Sequence, residues 1–435
     1  MRTPRATIVT IGDELLAGDT VDTNTAFLAR RCRELGVEVI RAVSVRDRLD
    51  EITMALEEVA PVAPICLVSG GLGPTTDDLT AAAVAKAAQR DLERDPEVVR
   101  SLEAWFTSRG RSMPAANLKQ ADLPAGATRL DNAVGTAPGF AVSIRDKTGQ
   151  GTLAFCMPGV PRELERMMFE QVEPRLREHV GGQPVPRRIY RFIGIGESVL
   201  AERIESVMAA ARARSSGLAA VLVHYRARMP EVDVILESVL AADGTRASEM
   251  ELASLDDAVL AATGRYLYGI GDVDLATRVV GALTRAGLCL GAAESCTGGM
   301  FGASMTSVPG ASACFRGAIV AYDDAVKRNL LEVPSTTLEV HGAVSEDVAR
   351  AMARGARAKL ACDLAVAITG IAGPGGETPE KPVGTVHIAL DDGVALRHER
   401  LRLFGSRAVI RHAAALSATK LVWDRLREHE LVDVL

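Results

Sequence analysis

Twice along this chain, short β-branched runs alternate with helix-length segments, a pattern that confines each stretch to a mainly parallel sheet covered by helices on both faces. In the first stretch, Ala6–Ile11, Glu38–Val43 and Ile65–Ser69 read as strands, with helices at Asn24–Gly36 and Leu49–Val59 between them. Phe140–Ile144 and Gly151–Cys156 read as a hairpin, and Met157-Pro158-Gly159-Val160-Pro161 opens a further helix. The last stretch begins with a helix at Leu275–Ala286 and a strand at Leu288–Ala293. Between the two, Gly181-Gly182-Gln183-Pro184-Val185-Pro186 reads as a linker. A strand at Arg187–Ile193, a helix at Glu197–Ala211 and strands at Ala219–Arg226 and Glu231–Glu237 then predict a small α+β module. The expected division is 1–182, 183–268 and 269–435, three domains in keeping with a length of 435 residues.

Composition narrows the function. A net charge of −6 provides no global field for DNA or an anionic membrane, and a 4% aromatic share leaves few faces for stacking single-stranded bases. The seven cysteines are scattered and form no CxxC, which suits reduced thiols better than disulfides or a zinc knuckle. No run of about 18 apolar residues offers a membrane span. Met1-Arg2-Thr3-Pro4-Arg5 leads into the first strand without an apolar leader. The expectation is a soluble cytoplasmic protein with small-molecule partners, no membrane and no nucleic acid.

Ala293-Glu294-Ser295-Cys296-Thr297-Gly298-Gly299 joins an apolar strand to a small-residue helix, so backbone N–H groups point at whatever precedes that helix. A serine there serves as a nucleophile with neighbouring N–H groups as an oxyanion hole, or Ser295 or Thr297 simply caps the helix. Tyr322 and Lys327 follow a strand; a desolvated lysine acts as a general base, an exposed one is an ordinary helix residue. Thr369 ends another strand and opens a loop of four glycines, Gly373 and Gly375 among them, which either admits an anion to the backbone or shapes a turn. Phe404-Gly405-Ser406-Arg407 opens a helix that also carries Arg411, and arginine at a helix start suits phosphate.

In order, AESCTGG, VAYDDAVK, HGAVSEDVA, TGIAGPGG and EKPVGTV resemble the successive blocks of the C-terminal domain of the CinA family (competence/damage-inducible protein A), the nicotinamide mononucleotide amidohydrolase group. The resemblance implies deamidation of nicotinamide mononucleotide to nicotinate mononucleotide and ammonia, with Ser295 as nucleophile, Lys327 as base and Tyr322 supporting that pair by a hydrogen bond. It implies substrate and phosphate contacts from Thr369 and Arg407, and neither metal nor other cofactor. Thr297, Gly298, Gly373, Gly375 and Arg411 complete the expected substrate-binding set. Members usually read Gly-Asp-Arg where this chain has Gly405-Ser406-Arg407, and serine orients a guanidinium less strongly than aspartate does.

Near the start, Ile11-Gly12-Asp13-Glu14 ends the first strand, and Ser69-Gly70-Gly71-Leu72-Gly73-Pro74-Thr75-Thr76-Asp77-Asp78 forms a glycine loop between strand and helix. Both loops fall at the carboxyl ends of parallel strands, where ligands bind. Glycines admit a phosphate; Asp47 and Asp78 hold a divalent cation, or Asp77 or Asp78 caps a helix and Asp47 sits in a turn. IGDELLAGDTVDTN, GGLGPTTDDLT, NAVGTAPGF and MPGVPREL resemble the N-terminal CinA domain, related to the molybdopterin-binding MoaB/Mog three-layer fold. The resemblance implies metal-dependent ADP-ribose pyrophosphatase activity. The expected nucleotide site comprises Gly12, Glu14, Asn24 and Gly70, with Gly71, Gly73, Thr75 and Asp77. Members commonly carry paired asparagines where this chain has Ala116-Asn117. The middle module resembles the family's KH-like domain but lacks the GxxG clamp of an RNA-binding module, so a structural role is expected.

The leading expectation is therefore a bifunctional pyridine-nucleotide enzyme, a homo-oligomer acting on nicotinamide mononucleotide and ADP-ribose. One alternative makes the N-terminal domain a nucleotide or pterin binder that regulates the amidase. Another, a DNA-linked competence factor, has no basic stripe with aromatics to support it.

Overall fold

The computed structural model describes residues 4–145, 149, 151–180 and 184–432. The chain divides into two compact units, Met1–Val185 and Pro186–Leu435. Of the expected linker, Gly181-Gly182-Gln183 lies outside the described residues, as does Met1-Arg2-Thr3.

In the first unit, the strands are β1 (Arg5–Ile11), β2 (Glu38–Val45), β3 (Ile65–Ser69), β4 (Leu92–Arg94), β5 (Asp122–Pro124), β6 (Thr128–Leu130), β7 (Gly139–Arg145) and β8 (Gly151–Met157). Six form one sheet in the order β2-β1-β3-β8-β7-β6, parallel from β2 to β8 and antiparallel beyond, while β4 and β5 pair apart. The apolar runs are continuous because both faces are covered. Cys66 and Val68 of β3 pack with the helices Leu49–Val59 and Thr80–Ala87. Ile65 and Leu67 pack oppositely, with Thr23–Glu34 and Pro161–Met167. The result is a three-layer α/β/α domain. The helix Thr23–Glu34 begins where the Asp22 carboxylate accepts from Thr25 N at 2.8 Å.

The second unit opens with β9 (Arg187–Ile193), β10 (Leu222–Arg228), β11 (Glu231–Glu237) and β12 (Leu267–Ile270), an antiparallel sheet in the order β10-β11-β9-β12. Tyr190, Phe192 and Val234 face the helix Glu197–Arg212; on the opposite face the buried Asp233 takes Arg226 at 2.6 Å and Arg228 at 3.0 Å. The strand expected from Ala219 starts at Leu222, because Ser215 caps a short helix, Ser216–Ala219, first. Leu267 of β12 joins this module's core, whereas Tyr268 and Ile193 join the following domain's core. The expected division between 268 and 269 thus falls inside a strand shared by two cores.

Five further strands, β13 (Leu290–Glu294), β14 (Phe315–Val320), β15 (Leu364–Gly370), β16 (Thr385–Asp391) and β17 (Leu396–Arg402), make a sheet in the order β14-β13-β15-β16-β17, with the first three parallel. Val366 and Ile368 of β15 pack with Leu275–Ala286 and Arg407–Glu428 on one face; Ala365 and Ala367 pack with Glu346–Leu360 on the other. Among the described residues no helix is long and apolar enough to cross a membrane.

His387 of β16 and His398 of β17 stack with ring centroids 5.1 Å apart and share an Nδ1–Nε2 hydrogen bond of 2.9 Å. Burial, aided by His398, Arg400 and Lys381, pulls His387 down from 6.5 to about 4, against a weaker opposing pull from Glu346. Burial lowers His398 as well. Between these values the unfolded chain binds protons that the folded chain does not, so stability falls as pH drops through 6.5 toward 4. The melting temperature follows that fall, and His387→Gln flattens it. An unchanged slope in the variant removes His387 as the cause.

Candidate functional site

The C-terminal site assembles at the carboxyl ends of β14, β13 and β15, on both sides of the strand where the sheet order reverses. Ser295 follows β13, tied to β15 through Ser295 N donating to Ile368 O at 2.9 Å. Its side chain is 8% exposed, and among the described residues no hydrogen bond reaches its Oγ. Ser295 therefore caps no helix. Thr297 does not either: its buried Oγ1 has no partner.

The helix after this loop, Met300–Thr306, has its N-terminal donors filled by a residue the sequence reading passed over. Glu294, fully buried, accepts from Gly299 N at 3.0 Å, Phe301 N at 3.1 Å and Gly302 N at 2.8 Å. The helix end is thus closed to a substrate anion. The signal was there: a carboxylate ending an otherwise apolar strand needs several donors to remain buried. The N–H groups of Cys296 and Thr297, the two residues after Ser295, donate to no other residue among the described residues, which leaves them available to an oxyanion. Burial raises the Cys296 thiol to about 11, which removes it as a competing thiolate nucleophile.

The other expected residues divide by what already holds them. Lys327, 2% exposed, donates from Nζ to Asp324 Oδ1 at 2.9 Å and to Tyr322 O at 3.1 Å, with no hydrogen bond to Ser295. Tyr322 therefore supports Lys327 through its carbonyl, while its hydroxyl, on a 62% exposed side chain, accepts from Arg407 Nη2 at 3.2 Å. Arg407 also donates to Gly373 O at 2.6 Å, linking the glycine loop to the start of the helix Arg407–Glu428. Arg411 is committed to the serine loop, donating to Cys296 O at 3.0 Å and Thr297 O at 2.7 Å. Its Nη2 lies 3.2 Å from where a Cβ at Gly298 would sit. Thr369 Oγ1 donates to Ala343 O at 2.8 Å, and Gly375, with φ of 88°, lies in the loop beyond. Arg411 and Thr369 thus position backbone; Arg407 and Tyr322 face solvent.

In the first unit a cleft of about 510 Å³ opens at the carboxyl ends of β1, β3 and β8, lined by Gly12, Glu14, Asp47, Gly70, Gly71 and Gly73 together with Asp77 and Asp78. Gln120 and Glu163, which the sequence reading did not single out, also line it. Glycine is required at position 70: φ is 109° and a Cβ would meet Ile11 O at 2.2 Å. Two expected residues stand outside the lining. Asn24 donates to Ser69 Oγ at 3.0 Å and Gly159 O at 2.7 Å, beside a smaller cavity. Thr75 donates from N to Asp78 Oδ2 at 2.7 Å and also from its hydroxyl. Neither Asp77 nor Asp78 caps the helix Thr80–Ala87, whose N-cap is Leu79; Asp78 instead folds the loop back on Thr75. Asp47 accepts from Asp13 N at 2.9 Å, and burial with the Asp13, Glu14 and Asp77 carboxylates nearby raises its carboxyl above the ordinary range. Among the described residues no three His, Cys, Asp or Glu side chains converge as a ready-made metal centre. A hard cation that keeps its waters and takes phosphate oxygens needs only one or two carboxylates, which this oxygen-only lining supplies.

The model of the CinA C-terminal domain matches residues 272–426, and that of a "Probable molybdopterin binding domain" matches residues 7–178. A CinA-like protein of Synechococcus sp. (strain CC9902) is 41% identical over 425 residues, covering 97% of each chain. One from Gemmatimonas aurantiaca is 40% identical over 425 residues, covering 97% of this chain and 95% of its own. The chain belongs to the CinA family. Among solved structures, the competence/damage inducible protein CihA from Agrobacterium tumefaciens is 40% identical over 35% of this chain and 93% of its own, with a TM-score of 0.34.

Within the CinA pattern, the two departures fall at positions with defined roles. Ser406 is the N-cap of the helix carrying Arg407, accepting from Val409 N at 3.4 Å, a task serine and aspartate both perform. Ala116 is exposed, whereas its neighbour Asn117 is buried and donates to Gln120 Oε1 at 2.9 Å, so the retained asparagine is the one that braces a cleft residue.

Proposed function

We propose that the C-terminal domain hydrolyses the carboxamide of nicotinamide mononucleotide to nicotinate mononucleotide and ammonia. The observation that carries this reading is the uncommitted Ser295 Oγ followed by the N–H groups of Cys296 and Thr297, which donate to no other residue among the described residues. Ser295 Oγ attacks the carboxamide carbon, and its proton passes to Lys327, which must first leave Asp324 to present a lone pair. The C–N bond breaks, the nitrogen departs as ammonia with that proton, and water releases nicotinate mononucleotide from the acyl-serine. Arg407, anchored on Gly373 and Tyr322, faces the substrate phosphate. Ammonia release on incubation with nicotinamide mononucleotide, with the product identified, tests the reading; no release from folded protein defeats it.

For the N-terminal cleft the reading is hydrolysis of the pyrophosphate of ADP-ribose to AMP and ribose 5-phosphate. Asp47 and Asp78 would hold a divalent cation, which supplies charge neutralisation to the phosphates. The glycine loops admit the phosphates, and Gln120 and Glu163 border them. A binding-only, regulatory role is the second reading, favoured by Asp78 already accepting from Thr75 N at 2.7 Å within its own loop. Asp78→Ala and a chelator each separate the two. Both are expected to reduce ADP-ribose cleavage by at least about 100-fold while ammonia release continues unchanged. Chelator-sensitive ammonia release would instead point to a metal-bound hydroxide at the amidase site, and normal cleavage by Asp78→Ala leaves Asp78 as a loop brace only. We place the enzyme, as a homo-oligomer, in a reducing cytoplasm, consistent with seven free cysteines.

A further inference from the structure

A groove of about 600 Å³ in the C-terminal domain belongs to neither proposed site. That is the size of a pocket for a whole small molecule. It lies among three consecutive helices, Asp324–Leu331, Ser335–His341 and Glu346–Leu360. Leu331, Pro334 and Ala351 give it apolar surface, while Thr337, Arg350 and Arg354 bring donors into its lining.

Most charges around the groove are already spent. Glu332 pairs with Lys359, and Asp347 Oδ2 lies 3.4 Å from His341 Nδ1. Arg350 donates from Nε to Glu346 at 2.8 Å and from Nη1 to Leu396 O at 2.6 Å. Arg354 differs. Among the described residues its guanidinium has no hydrogen-bond or ion-pair partner, and neither has the Thr337 hydroxyl. An unspent guanidinium takes a carboxylate through two parallel N–H donors, a planar match that a hydroxyl beside it can extend. One free cation offsets one negative charge, and the Asp347 carboxylate in the same lining repels a second. The groove therefore suits a monoanion better than a dianionic phosphate.

Two of the three helices connect the groove to the amidase residues. A Cβ at Gly355 would clash with Leu331 O, so glycine lets the last turn of Asp324–Leu331 rest directly on Glu346–Leu360. Lys327 sits one turn before Leu331, and its carbonyl accepts from Val333 N at 3.1 Å. The helix Ser335–His341 leads to Ala343, whose carbonyl accepts from the Thr369 hydroxyl at 2.8 Å.

We propose that this groove binds a small organic monocarboxylate with an apolar body, its carboxylate on Arg354 and Thr337, and that occupancy slows the amidase. An occupant packed on Leu331 and bonded to Arg354 fastens the helix that carries Lys327 to the helix Glu346–Leu360. Lys327 then stays on Asp324, the partner it must leave to accept the serine proton. Binding stands on the groove alone; the effect on rate rests on the amidase reading.

The probe is 2-naphthoate, titrated into the full-length protein by calorimetry. It binds saturably, whereas the neutral 2-naphthylmethanol and inorganic phosphate bind at least about tenfold more weakly. Arg354→Ala, at an exposed position, folds normally and loses at least about tenfold in affinity, the worth of a hydrogen-bonded charged contact. At saturating nicotinamide mononucleotide, 2-naphthoate lowers kcat for ammonia release at least about fivefold in the parent. The Arg354→Ala variant keeps the parent's basal kcat and shows no such fall. No binding, equal binding to parent and variant, or a rise in KM with kcat unchanged each overturn the proposal. Arg354-dependent binding without any ammonia release keeps the carboxylate site and removes the amidase reading; ammonia release whose kcat ignores 2-naphthoate does the reverse.

Discussion

Under the proposed amidase mechanism, Ser295→Ala is expected to lower kcat for ammonia release by about 10⁴-fold or more, because loss of a covalent nucleophile would leave only oxyanion donors and binding contacts to act. The same mechanism predicts a similar fall for Lys327→Ala and little further loss in the double variant, since in it the two groups act as one unit. Lys327→Arg does not rescue: a guanidinium keeps its proton and has no lone pair to offer. Lys327 is held by Asp324 and the Tyr322 carbonyl, so the proposed proton transfer requires that the buried ammonium first give up these partners. Steady-state rates at saturating nicotinamide mononucleotide, with mass spectrometry for an acyl-serine, read the outcome. Near-normal turnover in Ser295→Ala alongside a dead Lys327→Ala would mean that water attacks the amide directly.

How far the sequence carried this depends on whether the information was local. The strands β1, β3 and β8 and the loops that follow them were legible, since continuous apolar runs buried on two faces are bounded by glycine at their carboxyl ends, and eight of the ten expected N-terminal residues line one cleft. The location of Ser295 at the end of β13 was legible for the same reason. What was not legible is which groups are already spent. Arg411 reads as a phosphate ligand until the fold brings it to Cys296, 115 residues away, where both of its hydrogen bonds go to backbone carbonyls. Thr369 reads as a substrate contact until its hydroxyl meets Ala343 O, 26 residues away. Asp78 looks like a cap until the loop turns back onto Thr75. β12 was not expected at all, because a four-residue strand carries too little pattern to show that two cores share it.

Glu294 is the residue on which these limits bear most. Its carboxylate is buried and satisfied by three backbone N–H groups at the N-terminus of the helix Met300–Thr306, directly after the strand that delivers Ser295. Hydrogen bonds to a charged acceptor are worth more than neutral ones, and the helix end adds a favourable field. Glu294→Ala removes the acceptor but not the donors, leaving three N–H groups without it, two of them on the buried Phe301 and Gly302, at a cost of about 3–5 kcal/mol in folding stability. Glu294→Gln keeps the volume, yet only one of its terminal atoms accepts, so the NH₂ faces a backbone donor and about 2–3 kcal/mol is lost. The same displacement moves the Cys296–Gly299 turn, and with it the two N–H groups beside Ser295. If the proposed amidase reading holds, kcat for ammonia release falls at least about 100-fold in Glu294→Gln even where the protein remains folded, as loss of an aligned oxyanion donor does elsewhere. Urea denaturation together with ammonia release checks both halves. A variant as stable as the parent refutes the burial argument, and a destabilised variant with full kcat shows that the turn holds its shape without Glu294.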